Sequence, residues 1–299
     1  MSSGTQMSSP DNPPASPGPD ALAPVPGPPP KKSRAGRDLP AAIASGFVLL
    51  VVIAASLYFW KPAFILVVVA AILIGIWEFK QGFAVKGIRF PYEPIMVGAV
   101  VMLVGAYVGG SPALVTAMAV TALASMLWRL RGGVDGFVRD ATAGVFTAVY
   151  IPFLAGFVIL LLKPEDGALR VVTFILVTIA SDIGGYFVGV LAGKHPMAPV
   201  ISPKKSWEGF AGSTVFCVMA GWATVVYLLD GDWWVGVLLG LATVVMATLG
   251  DLCESVIKRD LGIKDMSSVI PGHGGLMDRL DSLLATVAPT WLLLLYLVP

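Results

Sequence analysis

Charge is what this chain has least of. Asp, Glu, Lys and Arg make up 13% of its 299 residues, about half the share of a soluble globular domain. No soluble fold of this length could hide what takes their place. Basic residues are not in excess either, and a net charge of +1 excludes the basic surface that a nucleic-acid partner requires. With only two cysteines, Cys217 and Cys253, there is no disulfide framework. Both lie in or beside apolar segments and are expected to act as buried small hydrophobes. What fills the chain is apolar: 56% hydrophobic residues and a mean hydropathy of +0.82. The expected class is an all-α, polytopic integral membrane protein.

Residues 1–37 read differently from the rest. Up to Pro30 they are rich in Pro, Ser and Gly and include the run Pro28-Pro29-Pro30. Such a segment has no apolar face with which to offset the entropy of ordering, so a disordered head is expected. Lys31, Lys32, Arg34 and Arg37 flank it, and the apolar run that follows has no cleavage signal and reads as a retained helix. The membrane-embedded domain is therefore expected over 38–299.

Lengths and breakers place about nine spans, at 39–60, 62–77, 95–108, 112–128, 141–162, 171–191, 210–229, 233–249 and 283–298. With these spans, seventeen of the twenty Lys and Arg fall on the side of the N-terminus. Only Lys61, Lys163 and Arg170 fall on the other. The positive-inside rule then puts the N-terminus in the cytoplasm and the C-terminus outside.

Two segments on the cytoplasmic side, 181–212 and 250–282, are too specific in composition to be mere connectors. Asp182 lies within an apolar span, where a carboxylate is costly unless it faces a polar cavity or a partner. Gly184, Gly185, Gly189 and Gly193 follow at spacings suited to close helix packing. Ser202-Pro203-Lys204-Lys205-Ser206 combines hydroxyls with adjacent point charges that suit phosphate oxygens. Ser206 is placed to cap a helix, and Glu208 fits a helix-start pair with Lys204. In the second segment Asp251 and Glu254 share a helix face at the end of one span, and Asp278 and Asp281 repeat the spacing at the start of the last. These four carboxylates are placed to converge on a hard cation such as magnesium, which takes few carboxylates plus substrate phosphates. Lys258, Arg259, Lys264 and Arg279 lie among them. So does Pro271-Gly272-His273-Gly274-Gly275, whose glycines permit backbone amides to approach a phosphate.

The run from Ser255 through Lys258-Arg259, Lys264-Asp265 and His273-Gly274-Gly275 to Asp278-Arg279 and Asp281 resembles the signature of the phosphatidate cytidylyltransferases, or CDP-diacylglycerol synthases. The block from Asp182 through Ser202-Pro203-Lys204-Lys205 to Glu208-Gly209 resembles a second part of that family's pattern. Departures fall at Ser206, where Thr is expected, at Gly185, where Ala is more usual, and at 194–197. The resemblance covers the chain from about residue 39 onward. It implies an enzyme that joins CTP and phosphatidate into CDP-diacylglycerol, releases pyrophosphate and requires magnesium. It implies a metal site at Asp251 and Asp278 with Asp281 next, holding one ion or two. Ser202, Lys204, Lys205, Lys258, Arg259, Gly274, Gly275 and Arg279 are the expected nucleotide contacts. Lys204, Lys205, Lys258, Arg259 and Asp281 are expected to act in catalysis. His273 either serves a phosphate or a carboxylate there, or is a neutral structural residue.

That chemistry agrees with the residues. Phosphatidate is already an anionic nucleophile, so a dedicated general base is not obligatory, and catalysis must come from charge neutralisation and in-line positioning. Two other readings compete. A CTP-dependent polyprenol kinase would release CDP, and the intact signature weighs against it. A transporter would need polar residues on several spans and inverted repeats, whereas the chain has one intramembrane Asp and no repeat. The expected setting is a plasma membrane, with the site facing the cytoplasm, CTP and phosphatidate as partners, and a homodimer allowed.

Overall fold

The computed structural model describes residues 1, 39–267, 269 and 274–298, with side chains from 46 onward. The chain divides into two units, Met1–Gly36 and Arg37–Pro299. Apart from Met1, the first lies outside the described residues, as do the expected head and its basic flank up to Arg37.

The second unit is helical, as its composition requires. Helix α1 (Leu39–Phe59) is followed by α2 (Lys61–Val85), whose first turn carries Pro62, a position where the missing N–H costs nothing. Helix α3 (Tyr92–Arg129) folds back on itself at Gly110, which takes φ 70° and ψ −157° just ahead of Pro112. The reversal is plain from Gly98, which packs directly on Thr121. In one straight helix those two residues would stand roughly 35 Å apart. The two short spans expected at 95–108 and 112–128 are thus the antiparallel arms of one hairpin. Helix α4 (Phe137–Ala148) continues through a π turn (Val149–Phe153) into α5 (Leu154–Leu162). Pro152 lies in that turn, where a lost backbone donor favours the wider winding.

Helices α6 (Gly167–Ala192), α7 (Trp207–Leu228), α8 (Trp233–Leu261) and α9 (Met277–Leu297) form the half that carries the sequence motifs. Among the described residues, seven helical stretches are long and apolar enough to cross a membrane, with Tyr92–Gly132 counted as one. Bulky apolar side chains such as Leu66, Val97, Val215 and Leu292 are exposed on these helices, as a lipid-facing surface demands. The all-α membrane fold is therefore as expected, while several limits move. Helix α2 runs eight residues past the expected end at 77, α8 runs to Leu261 rather than 249, and α9 starts at Met277 rather than 283.

Small residues set how closely the motif-bearing helices approach. A Cβ on Gly184 would fall 2.7 Å from the Gly212 carbonyl oxygen, and one on Gly240 2.6 Å from that of Cys217. Helices α6, α7 and α8 are therefore in backbone contact, the geometry that lets helices associate without a hydrophobic driving force. Cys217 is buried as expected; Cys253 instead lies exposed on α8, because its side of the helix is not covered by a neighbour.

One element departs from an all-helical body. Between α6 and α7, β1 (Pro196–Ala198) pairs antiparallel with β2 (Ser202–Ser206), with Pro196 opposite Ser206 and Ala198 opposite Ser202. The prolines disfavour helix here, and Ser206 closes the hairpin by capping α7, its side chain accepting from the Gly209 amide at 3.1 Å.

Candidate active site

The ends of α6, α7, α8 and α9 and the β-hairpin enclose a cavity of about 390 Å³. Its wall contains Asp182 from α6, Ser202, Lys204 and Lys205 from β2, Asp251 from α8, and Asp278, Arg279 and Asp281 from α9. Residues nearly a hundred positions apart in sequence are thereby gathered at one place. Tyr186, Met197 and Phe210 supply an apolar edge. Close contact of α8 with α9 at Gly250, where a Cβ would stand 2.8 Å from the Asp281 carbonyl, brings the carboxylates of the two helices together.

Opposite charges are matched in pairs. Lys205 Nζ lies 2.7 Å from Asp251 Oδ2, and Ser255 donates to Asp251 Oδ1 at 3.3 Å. Lys258 Nζ lies 2.7 Å from Asp278 Oδ1 and 3.5 Å from Oε1 of Glu254, which is fully buried. The other oxygen of Asp278 accepts the amides of Met266 at 3.2 Å and Gly275 at 2.9 Å. Asp281 accepts the amide of Ser282 at 2.7 Å.

Seven of the expected site residues line the cavity: Ser202, Lys204, Lys205, Asp251, Asp278, Arg279 and Asp281. Asp182 joins them, so its cost within the span is met by a polar cavity. Lys258 reaches the site through Asp278 rather than through the wall. Arg259 turns towards the hairpin, its Nε donating to the Ile201 carbonyl at 3.5 Å. Gly274, with φ 86°, and Gly275 form the turn against Asp278. His273 lies outside the described residues. Glu208 does not pair with Lys204. It accepts the amides of Lys194 and His195 and lies 2.5 Å from His195 Nδ1, tying the start of the hairpin to α7.

The donor set has the chemistry of a magnesium site, being all oxygen and acidic. Among the described residues no group of three or more Asp, Glu, His or Cys is drawn together as a cage. That is compatible with magnesium, which is held through one or two carboxylates and completes its shell with water and substrate phosphates.

Glu78 is not among the residues that the sequence motifs single out. It sits on α2, fully buried, and its carboxylate accepts the amides of Leu276 at 2.8 Å and Met277 at 2.7 Å and the hydroxyl of Ser267. The span expected at 62–77 stops one residue short of it. The apolar face through Ile72, Gly75, Phe79 and Gly82, which carries the helix past it, was the available signal. A second buried carboxylate, Asp140, holds Arg129 at 3.0 Å, Arg139 at 3.1 Å and the amide of Arg89, joining α4 to the end of the α3 hairpin.

Comparison with known proteins adds to this geometry. Residues 40–297 match the model of the cytidylyltransferase family. The chain is similar to the phosphatidate cytidylyltransferase of Mycobacterium bovis, with 41% identity over 275 residues, 88% of this chain and 90% of that protein. Its similarity to the phosphatidate cytidylyltransferase of Mycobacterium leprae is 41% over 277 residues, covering 87% and 89% of the two chains. With that of Helicobacter pylori it is 30% over 245 residues, covering 80% and 86%.

Proposed function

We infer that this chain, which belongs to the cytidylyltransferase family, transfers a cytidylyl group from CTP to phosphatidate, forming CDP-diacylglycerol and pyrophosphate. The observation that carries the reading is the single cavity in which the hairpin lysines meet the carboxylates of α8 and α9. A phosphate oxygen of phosphatidate attacks the α-phosphorus of CTP. The bond from that phosphorus to the α–β bridging oxygen breaks, and the electron pair leaves with pyrophosphate.

Both reactants are anions, so the protein's task is to offset charge and to align them. Lys204 and Lys205 stand on β2, which pairs with β1 and ends in the Ser206 cap of α7, and they line the cavity that would take the triphosphate. Arg279 faces the same cavity from α9. Lys258 holds Asp278 in place, and the apolar edge at Tyr186 and Phe210 suits the start of the lipid's acyl chains. Magnesium, held by Asp251 and Asp278 with Asp281 as a third oxygen donor, would supply charge neutralisation at the phosphates. Lys205 and Lys258 now stand against two of those carboxylates, so binding of the cation would release ammonium groups towards the phosphates.

The same reading places the N-terminus and the site in the cytoplasm, with nine membrane crossings once the α3 hairpin is counted as two and α1 as one. A plasma membrane gives the enzyme both substrates, CTP from the cytosol and phosphatidate from the bilayer. Purified protein with CTP, magnesium and phosphatidate in detergent micelles should release pyrophosphate only when the lipid is present. Formation of CDP in its place would assign the chain to lipid phosphorylation, and no nucleotide turnover would remove the enzyme reading.

A further inference from the structure

The carboxylate of Glu78 belongs to the first half of the chain, yet its hydrogen bonds go to the start of α9, two hundred residues on. The first turn of any helix leaves backbone N–H groups without intrahelical partners. Here Glu78 takes the amide of Met277, the first residue of α9, and that of Leu276 just before it, while one oxygen of Asp278 takes the amides of Gly275 and Met266, which precede the helix. Asp278 therefore keeps its other oxygen, Oδ1, turned to Lys258. Gly275 sits in the gap between the two acids, where a Cβ would fall 2.8 Å from Asp278 Oδ2 and 3.1 Å from Glu78 Oε1. One turn earlier on α2, Gly75 fits under Met277, whose sulfur would lie 2.7 Å from an added Cβ. The contact of α2 with the α9 start is thus close and directional. The negative charge of Glu78 is stabilised by charge-assisted bonds and by the positive end of the α9 dipole.

We propose that Glu78 is a positioning residue for the cation site: by taking the amides of Leu276 and Met277 it leaves one oxygen of Asp278, the one beside Lys258, uncommitted to backbone and available to a cation. Without that acceptor, the Leu276 and Met277 amides would draw the nearby Asp278 carboxylate onto the helix end, away from the cation. This rests on the assignment of Asp278 as a cation ligand. Support of a ligand by a neighbouring hydrogen-bonding group is commonly worth 10- to 100-fold in metal affinity.

The test measures Mn²⁺ binding to the purified full-length protein by electron paramagnetic resonance of the free ion, without nucleotide. Glu78→Gln turns an NH₂ group towards an amide donor, and Glu78→Asp shortens the reach by one methylene while keeping the charge. Both should weaken Mn²⁺ binding, by about tenfold for Glu78→Gln. Should Glu78→Gln fail to fold, Glu78→Asp alone decides. Adding Glu78→Gln (or Glu78→Asp) to Asp278→Asn should weaken binding no further than Asp278→Asn alone, since one acts through the other. Parental affinity in a folded Glu78 variant, or additive losses in the double variant, would overturn the proposal. Parental affinity in Asp278→Asn would instead overturn the ligand assignment on which it rests.

Discussion

Lys205 and Lys258 both pair with a site carboxylate at 2.7 Å, but replacing each by Met should have opposite consequences. The Lys258 side chain is 15% exposed and stands between Asp278, 9% exposed, and Glu254, which is fully buried. Breaking a buried ion pair from one side leaves the other charges uncompensated and costs roughly 3–5 kcal/mol. For Lys258→Met that corresponds to a fall of about 6 °C or more in apparent melting temperature, using the usual 2–4 °C per kcal/mol for a chain of this size. Magnesium should recover part of the loss by replacing the missing positive charge. The Lys205–Asp251 pair is 24% and 36% exposed, a setting in which an ion pair contributes about 0–1 kcal/mol. Lys205→Met should therefore melt within about 4 °C of the parent, yet lose about a hundredfold in rate if the lysine meets charge that develops on the phosphates. Thermal scans in one detergent at one scan rate, with and without magnesium, and pyrophosphate release per folded molecule measure both sides. Equal melting losses in the two variants, or unchanged turnover in Lys205→Met, would refute the reasoning.

Three further outcomes follow from the same structure. Asp251→Asn should keep its melting temperature and lose about a hundred- to thousandfold in rate, whereas Asp278→Asn should lose both, because Asp278 also accepts the Met266 and Gly275 amides; rate and melting measured on both variants check this, and near-parental turnover in either removes that residue from the metal site. Deleting residues 1–30 should leave activity within a few-fold, since every motif lies beyond them, and activity lost at normal protein levels in membranes would contradict it. In intact spheroplasts, exposed Cys253 should resist an impermeant maleimide while a tag after Pro299 is cleaved by added protease; a protected tag would sink the nine-crossing topology.

Much of this fold could be read from apolar run lengths, because a membrane span is set by one dimension, the bilayer thickness. The break before Pro112 separates two arms in the sequence, though only the fold shows the positive-φ Gly110 that makes them a hairpin. The glycines of α6 were legible for the same reason, since small residues in an apolar helix have few other uses. What escaped is tertiary. The short β-hairpin depends on capping and pairing across a loop whose composition resembles any basic connector. Glu78 lies just past the expected end of a span at 77, and nothing local marks it, because its partners are the amides at the start of α9. The spacing of Asp251 with Glu254 and of Asp278 with Asp281 brought the carboxylates into view together. It could not say that Glu254 is buried behind Lys258 or that Arg259 faces the hairpin. Those orientations are fixed by how α8 meets its neighbours.

The central claim is that this cavity joins a lipid phosphate to the α-phosphorus of CTP, and the position of a label tests it most directly. The purified protein is given CTP carrying ³²P at the α-phosphate, magnesium and phosphatidate, and the organic and aqueous phases are separated. The account places the label in the lipid phase, with one pyrophosphate released per labelled lipid, and predicts that Asp251→Asn reduces both together. Label that stays in water-soluble CDP or CTP while the lipid is consumed would contradict it.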